Sequence, residues 1–190
     1  FEKFKVYKTD FAGRELAIET GKMAQLANGE CLVRYGETVV HVAVAASAKP
    51  RDGVDFFPLS VDFEEKLYSV GKIPGSYLKR EGRPSEKAIL TSRVVGTSIA
   101  LSISDIPWNG PISGVSVGYV DGEYVINPTS EQRKVSKMAV TVASTDSKIA
   151  MIEAGADIVS DEVMYNGIMA GHKANQEIIE FIKGIQKDIG

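Results

Sequence analysis

Short apolar runs cut apart by two-residue glycine turns fill the first two-thirds of the chain, and one long amphipathic stripe ends it. Asp121-Gly122 between Val115–Val120 and Glu123–Ile126 is the strongest of these turn signals, because both turn residues must take a left-handed backbone that Gly adopts freely. Gly13 separates Lys5–Lys8 from Glu15–Thr20, Asn28-Gly29 precedes Cys31–Tyr35, and Gly36-Glu37 precedes Thr38–Ala46. The Val39–Val44 part of that last run is almost continuously β-branched, which predicts a strand covered on both faces. Phe56–Phe63 alternates and predicts a further strand, as does Met138–Ala143, whereas Ile149–Ala154 fits strand or helix.

Helical signals come later. Ser85 is placed to cap a helix through Ser92, and Thr97–Ser104 reads as a buried helix. At the end Ser160 caps, Asp161 and Glu162 suit the positive end of the helix dipole, and Gly190 closes. Met164, Ile168, Ile178, Ile182, Ile185 and Ile189 fall on one stripe. Strands followed by helices predict an α+β domain.

At 190 residues, 44% of them hydrophobic, the chain can bury a core as one domain. No apolar run has the length of a membrane span and no charged-then-apolar segment opens the chain, so a soluble protein is expected. One Cys rules out an internal disulfide and suits a reducing cytoplasm. The net charge of −3 attracts no polyanion globally, so nucleic-acid contact requires a local patch. Gly71–Lys87 supplies one: Lys72, Lys79, Arg80, Arg83 and Lys87 against Glu81 and Glu86 make it +3 and the rest of the chain −6. Three glycines and two prolines in 71–84 make this a loop, and Tyr77 sits among the cations. A base can stack on the ring while guanidinium and ammonium groups meet phosphates; a solvated basic turn is the plain alternative.

The other motifs favour structural readings. Gly114-Val115-Ser116-Val117-Gly118 matches a serine-hydrolase pattern but lies in a strand, without the strand-to-helix elbow that exposes the nucleophile. His41 and His172 lack a second His at ligand spacing, and Cys31 reads as a small strand residue. Asp62 and Glu64 share a strand face with Glu65 following, which suits an acid pair, yet any half-buried strand shows such a face to water.

Several segments together resemble the first core domain of the bacterial polynucleotide phosphorylase family over nearly the whole chain. They are Phe57-Pro58-Leu59-Ser60-Val61-Asp62, Gly71-Lys72-Ile73-Pro74-Gly75-Ser76, Lys79-Arg80-Glu81-Gly82-Arg83-Pro84-Ser85-Glu86, Ser102-Ile103-Ser104-Asp105-Ile106-Pro107-Trp108-Asn109-Gly110-Pro111, Ile126-Asn127-Pro128-Thr129 and Glu153-Ala154-Gly155-Ala156. The resemblance implies a ribonuclease PH-like fold (ribosomal protein S5 domain 2-like), with mixed sheets and flanking helices. It implies a cytoplasmic enzyme of mRNA degradation, a polyribonucleotide nucleotidyltransferase. Such an enzyme degrades RNA from the 3′ end with inorganic phosphate and Mg²⁺, and runs in reverse as a polymerase.

In that family two core copies are followed by KH and cold-shock-like domains, and three chains form a homotrimer ring that threads single-stranded RNA. Partners from the RNA-degradation machinery are an extension of that picture. The first copy holds RNA through a pore loop, matched here by Tyr77, Leu78, Lys79 and Arg80, with Arg83 following. The family has two aromatic rings there, so Leu78 removes one stacking surface.

The second copy binds its metal through an Asp-x-Asp-x-Lys run. The matching positions here are Lys137, Ala139 and Thr141, which cannot supply the oxygen ligands Mg²⁺ demands. No catalytic or metal-binding residue is therefore expected in this segment, and the parent's Mg²⁺ is expected outside it. The family also carries an extra stretch where Val94-Val95 here runs straight into Gly96, so part of the pattern is missing between 95 and 96. Two other readings share the fold: a non-catalytic RNA-binding subunit of an exosome-like ring, and a self-sufficient ribonuclease PH that trims tRNA.

Overall fold

A computed structural model describes residues 2–49, 52–56, 58–64, 66–72 and 96–190. The chain divides into two units, Phe1–Ala46 with Val94–Gly190 and, separately, Ser47–Arg93.

In the first unit, β1 (Lys5–Phe11), β2 (Arg14–Thr20), β3 (Gly29–Tyr35) and β4 (Thr38–Val44) form an antiparallel meander in that order. The β1–β2 turn puts both Ala12 and Gly13 in the left-handed region, at φ 48° and 74°, as a two-residue hairpin of matching twist requires. Register aligns Tyr7, Ile18, Val33 and Val40 on the inner face and Val6, Glu19, Leu32 and His41 on the outer one. β4 departs from the sequence expectation. Among the described residues it is an edge strand, and Val39, His41 and Ala43 are exposed on its outer face, so only Val40, Val42 and Val44 turn inward. Backbone preference for β-branched residues does not distinguish a strand buried on both faces from one with a wet face.

A helix over 96–102, α1, lies on the inner face of this sheet. The approach is close: a Cβ on Gly29 would sit 2.5 Å from the Ala100 carbonyl oxygen, and one on Gly96 2.5 Å from Val42 Cγ2. Glycine is required at both places because backbone and branched side chains cannot yield.

The second sheet contains β5 (Ser113–Val120), β6 (Glu123–Ile126), β7 (Met138–Ser144) and β8 (Ile149–Ala156), ordered β6-β5-β7-β8. Asp121 and Gly122, both at positive φ, close the β5–β6 hairpin as expected. The ambiguous run at 149 is a strand. A short helix, α2 (Ser130–Val135), was not anticipated; Thr129 and Gln132 cap its start reciprocally, each side chain bonding the other's backbone. The last helix, α3 (Asp161–Ile189), begins at the Ser160 cap and covers the face of Val115, Val117, Val140 and Val142.

Of the predicted stripe, Ile178, Ile182 and Ile185 are buried, while Met164, Ile168 and Ile189 are half-buried. Gly167, Gly171 and Asn175 complete the buried line. At its far end Asp188 accepts hydrogen bonds from Lys5 and the Tyr7 hydroxyl, fastening α3 to β1. The Lys5 bond, then that of Tyr7, holds the Asp188 carboxyl below its usual range. One core runs from Phe11, Ile18 and Val33 through Ile99 and Leu101 to both faces of contact between the second sheet and α3.

The α+β class holds. Every described strand pairing is antiparallel, where the resemblance implied mixed sheets. In the second unit the described residues of Phe56–Phe63 form no strand, although Val61 and Phe63 are half-buried between exposed Ser60, Asp62 and Glu64. The alternation is real, but a strand also needs a neighbour for its backbone groups, and none is paired there among the described residues. The Ser85–Ser92 helix expectation lies outside the described residues.

Candidate functional site

The cationic loop opens from a short 3-10 turn, Leu67–Val70, that Gly71 terminates at φ 69°. The Gly71 and Lys72 amides donate to the Tyr68 and Leu67 carbonyls, 3.0 Å each, so this threshold is closed by backbone bonds. Lys72 is exposed. Tyr77, Leu78, Lys79, Arg80 and Arg83, the expected RNA contacts, lie outside the described residues.

The positions matched to the Asp-x-Asp-x-Lys run are described. β7 turns Met138, Val140 and Val142 toward α3, and therefore presents Ala139 and Thr141 on the opposite face. Ala139 is exposed, and Thr141 lies in a row between Ser116 on β5 and Glu153 on β8. Lys137 precedes the strand, its backbone joined to the Tyr119 carbonyl and the Asp157 amide. The ammonium of Lys137 and the methyl of Ala139, which stand where the run has its two carboxylates, do not fit a divalent cation that takes carboxylate oxygens. Among the described residues there is no group of three or more His, Cys, Asp or Glu able to hold a metal ion.

The remaining sequence motifs fall apart in space or into the scaffold. Ser116 sits mid-strand, its amide bonded to the Asn127 side-chain oxygen, with no elbow to expose it. Exposed Asp62 and Glu64 face water, and Glu64 pairs with Lys66; Glu65 lies outside the described residues. His41 stands 3.7 Å from Glu30 on the first sheet, whereas His172 lies on α3 beside Gln176. Cys31 is fully buried, and burial, then the Glu30 charge, push its thiol up to about 12. Such a thiol is no nucleophile near neutrality.

Sequence reasoning missed three polar side chains that organise the scaffold. Glu30, almost buried, accepts from the Lys22 and Met23 amides and so pins the 21–28 loop. Asn175 donates from α3 to the Val142 carbonyl and Ser144 Oγ at 2.9 and 3.1 Å. Asn28 uses both ends of its amide, accepting from the Ala46 amide at 2.9 Å and donating to Asp105 at 3.0 Å. Asn175 had a legible signal, a polar residue in register with the isoleucine stripe. Asn28 read only as a turn former.

Comparison with known proteins follows from this geometry. Residues 12–159 match the model of the 3′ exoribonuclease family, domain 1. A polyribonucleotide nucleotidyltransferase of Ruminiclostridium cellulolyticum is 53% identical over 98% of this chain, and one of Clostridioides difficile 51% over the same share. The chain spans about a third of those relatives, 32% of each. The first of these alignments runs over 224 positions, more than the 190 residues of the chain, so that relative carries residues this chain lacks. The crystal structure of rice Rrp46 shares the fold, with a TM-score of 0.61 at 14% identity, covering 96% of this chain and 94% of that one. No helix among the described residues is long and apolar enough to cross a membrane.

Proposed function

The chain belongs to the 3′ exoribonuclease family as its domain 1, and on that premise we propose that it is the first core domain of a polyribonucleotide nucleotidyltransferase. In this reading the parent is a phosphate-dependent 3′-to-5′ exoribonuclease of cytoplasmic mRNA degradation, and this domain holds RNA while another cuts it. In the cutting step an oxygen of inorganic phosphate attacks the terminal phosphodiester phosphorus. The 3′-oxygen of the preceding nucleotide leaves, and a nucleoside diphosphate departs.

The observation that carries the holding role is the concentration of positive charge in 71–87, +3 on a body of −6. Lys79, Arg80 and Arg83 neutralise phosphates, Tyr77 stacks on a base, and Leu78 offers only an apolar contact. The residues at 137, 139 and 141 support leaving catalysis elsewhere, with Mg²⁺ and phosphate bound outside this segment. A second core copy, KH and cold-shock-like domains in the parent, and a homotrimer ring around the RNA complete the proposal. Alignment with a relative that carries residues absent here supports a missing stretch between 95 and 96.

The test is RNA binding by the full-length parent with Lys79→Ala and Arg80→Ala together. Affinity should fall, and the slope of log affinity against log salt should flatten by about 1.4, two phosphate contacts' worth for a single strand. An unchanged slope refutes the loop assignment. A remainder of the chain without Asp-x-Asp-x-Lys would favour the non-catalytic ring subunit instead.

A further inference from the structure

We infer that Asn109 is a site of spontaneous covalent modification: the Gly110 backbone nitrogen closes on its side-chain amide, ammonia leaves, and water opens the ring to an aspartyl or isoaspartyl residue. No ligand is needed, so the site stands apart from the RNA-holding reading above.

Three of the chain's asparagines precede glycine, at 28, 109 and 166. Glycine favours the closure because no side chain shields the attacking nitrogen or restricts its backbone. In sequence the three pairs are equal; their surroundings separate them.

The Asn28 amide is held at both ends, its oxygen by the Ala46 amide at 2.9 Å and its nitrogen by Asp105 at 3.0 Å. Gly29 starts β3 and is crowded, since a Cβ there would lie 2.5 Å from the Ala100 carbonyl oxygen and 2.7 Å from Ser104 Cβ. Asn166 lies inside α3, where the Gly167 amide belongs to the helix ladder. Gly167 is buried, and its Cβ would meet Met138 Cε at 2.4 Å. At both places the nitrogen cannot swing onto the side-chain carbon without undoing an element.

Asn109 is the opposite case. It is exposed, lies outside any helix or strand, and makes no side-chain hydrogen bond among the described residues. The Gly110 amide donates to no backbone carbonyl among them. A Cβ on Gly110, at φ 101°, would meet nothing within 4 Å. The chain is anchored on either side, by buried Ile106 and by the Ile112 amide, which donates to Ser98 Oγ at 2.8 Å. The open stretch is therefore short and centred on the reacting pair.

In the first step the Gly110 nitrogen gives its proton to solvent base and bonds to Asn109 Cγ. The Cγ–Nδ2 bond breaks, and Nδ2 takes a proton from solvent and leaves as ammonia. Solvent water then adds to one of the two ring carbonyls. Opening at Cγ gives aspartate, and opening at the backbone carbonyl carbon gives isoaspartate, with a longer main chain. Either product carries a negative charge that asparagine lacks.

The experiment incubates the full-length parent at mildly alkaline pH, folded and in guanidinium chloride, and follows tryptic peptides by mass spectrometry for the exchange of NH₂ for OH. Cleavage after Lys and Arg puts the three pairs in separate peptides: 23–34, the one ending at Arg133, and 149–173. Asn127 shares the second peptide, but Pro128 after it has no N–H with which to attack. In denaturant all three sites should convert. In the folded protein Asn109 should keep close to that rate. Asn28 and Asn166 should slow by about tenfold or more, a factor that an opening free energy of about 1.4 kcal/mol already supplies. Asn109→Gln should abolish the change in its peptide.

An Asn109 that stays intact in the folded parent while denaturant converts it overturns the inference. Conversion of Asn28 or Asn166 as fast as Asn109 in the folded parent overturns it too, as does a change in the Arg133 peptide that survives Asn109→Gln.

Discussion

Gly171 is where α3 lies against branched, unyielding side chains of the second sheet, and replacing it by Ala measures that packing. A Cβ there would lie 2.9 Å from Val117 Cγ2 and from Val142 Cγ2, and 3.1 Å from Val142 Cβ. Both valines are wholly buried on adjacent strands, and β-branched side chains have no low-energy rotamer to retreat into. Overpacking of this kind costs about 1–3 kcal/mol. Against it stands the gain of about 1 kcal/mol that any Gly-to-Ala change brings in a helix interior.

Gly184, on the same helix, supplies the control, because its Cβ would meet nothing within 4 Å. Gly184→Ala should therefore stabilise by about 1 kcal/mol. Since both variants share the helix term, the gap of about 1–3 kcal/mol between them is the packing cost alone. Gly167→Ala should fall between, as its Cβ meets the flexible end of Met138. Urea unfolding followed by circular dichroism, with an unchanged m-value, reads all three. Equal stability of Gly171→Ala and Gly184→Ala would refute the close seating of α3 on β5 and β7.

Two further outcomes follow from the buried groups. Asn175→Ala removes the donor to the Val142 carbonyl and Ser144 Oγ and leaves a gap in the core, and should cost about 2–4 kcal/mol in the same unfolding assay; a loss within error would mean that its two hydrogen bonds hold nothing. Cys31 should react with iodoacetamide only as fast as the protein opens, and a rate like that of a free thiol would contradict its burial. The sign of its pH effect is fixed: the folded thiol keeps its proton up to about 12 while the unfolded one loses it near 9.0, so stability falls as pH rises through that interval.

The sequence carried the hairpins clearly, because Gly13, Gly36 and Asp121-Gly122 are demanded by left-handed backbone and no pairing partner need be known. It carried α3 for a similar reason, since a cap and a stripe are local. It could not show which strands lie at edges. Val39–Val44 looks doubly buried in sequence, yet nothing among the described residues covers the outer face of β4, because exposure depends on neighbours far along the chain. Asn28 was hidden for the same cause: its partners Ala46 and Asp105 are 18 and 77 residues away, and nothing local distinguishes it from a turn residue. The short α2 is legible in Thr129 and Gln132, a capping pair three residues apart.

The two faces of β7 explain why a fold of this kind says so little about chemistry. Packing against α3 uses Met138, Val140 and Val142, with Ser144 bonded to Asn175, so contact with the helix constrains every second residue of β7. Ala139 and Thr141 point the other way and contribute nothing to that core. Carboxylates at 137 and 139, where Lys137 precedes the strand and Ala139 is exposed, would leave register and helix seating almost unchanged and would supply two oxygen-bearing groups. In the proposed reading a cutting copy and a holding copy can therefore share one scaffold and differ at outer positions such as 139 that packing against α3 does not use. For this chain the proposed holding role rests on the residues at 137 and 139 and on the cations of the 71–87 stretch, neither of which the fold dictates.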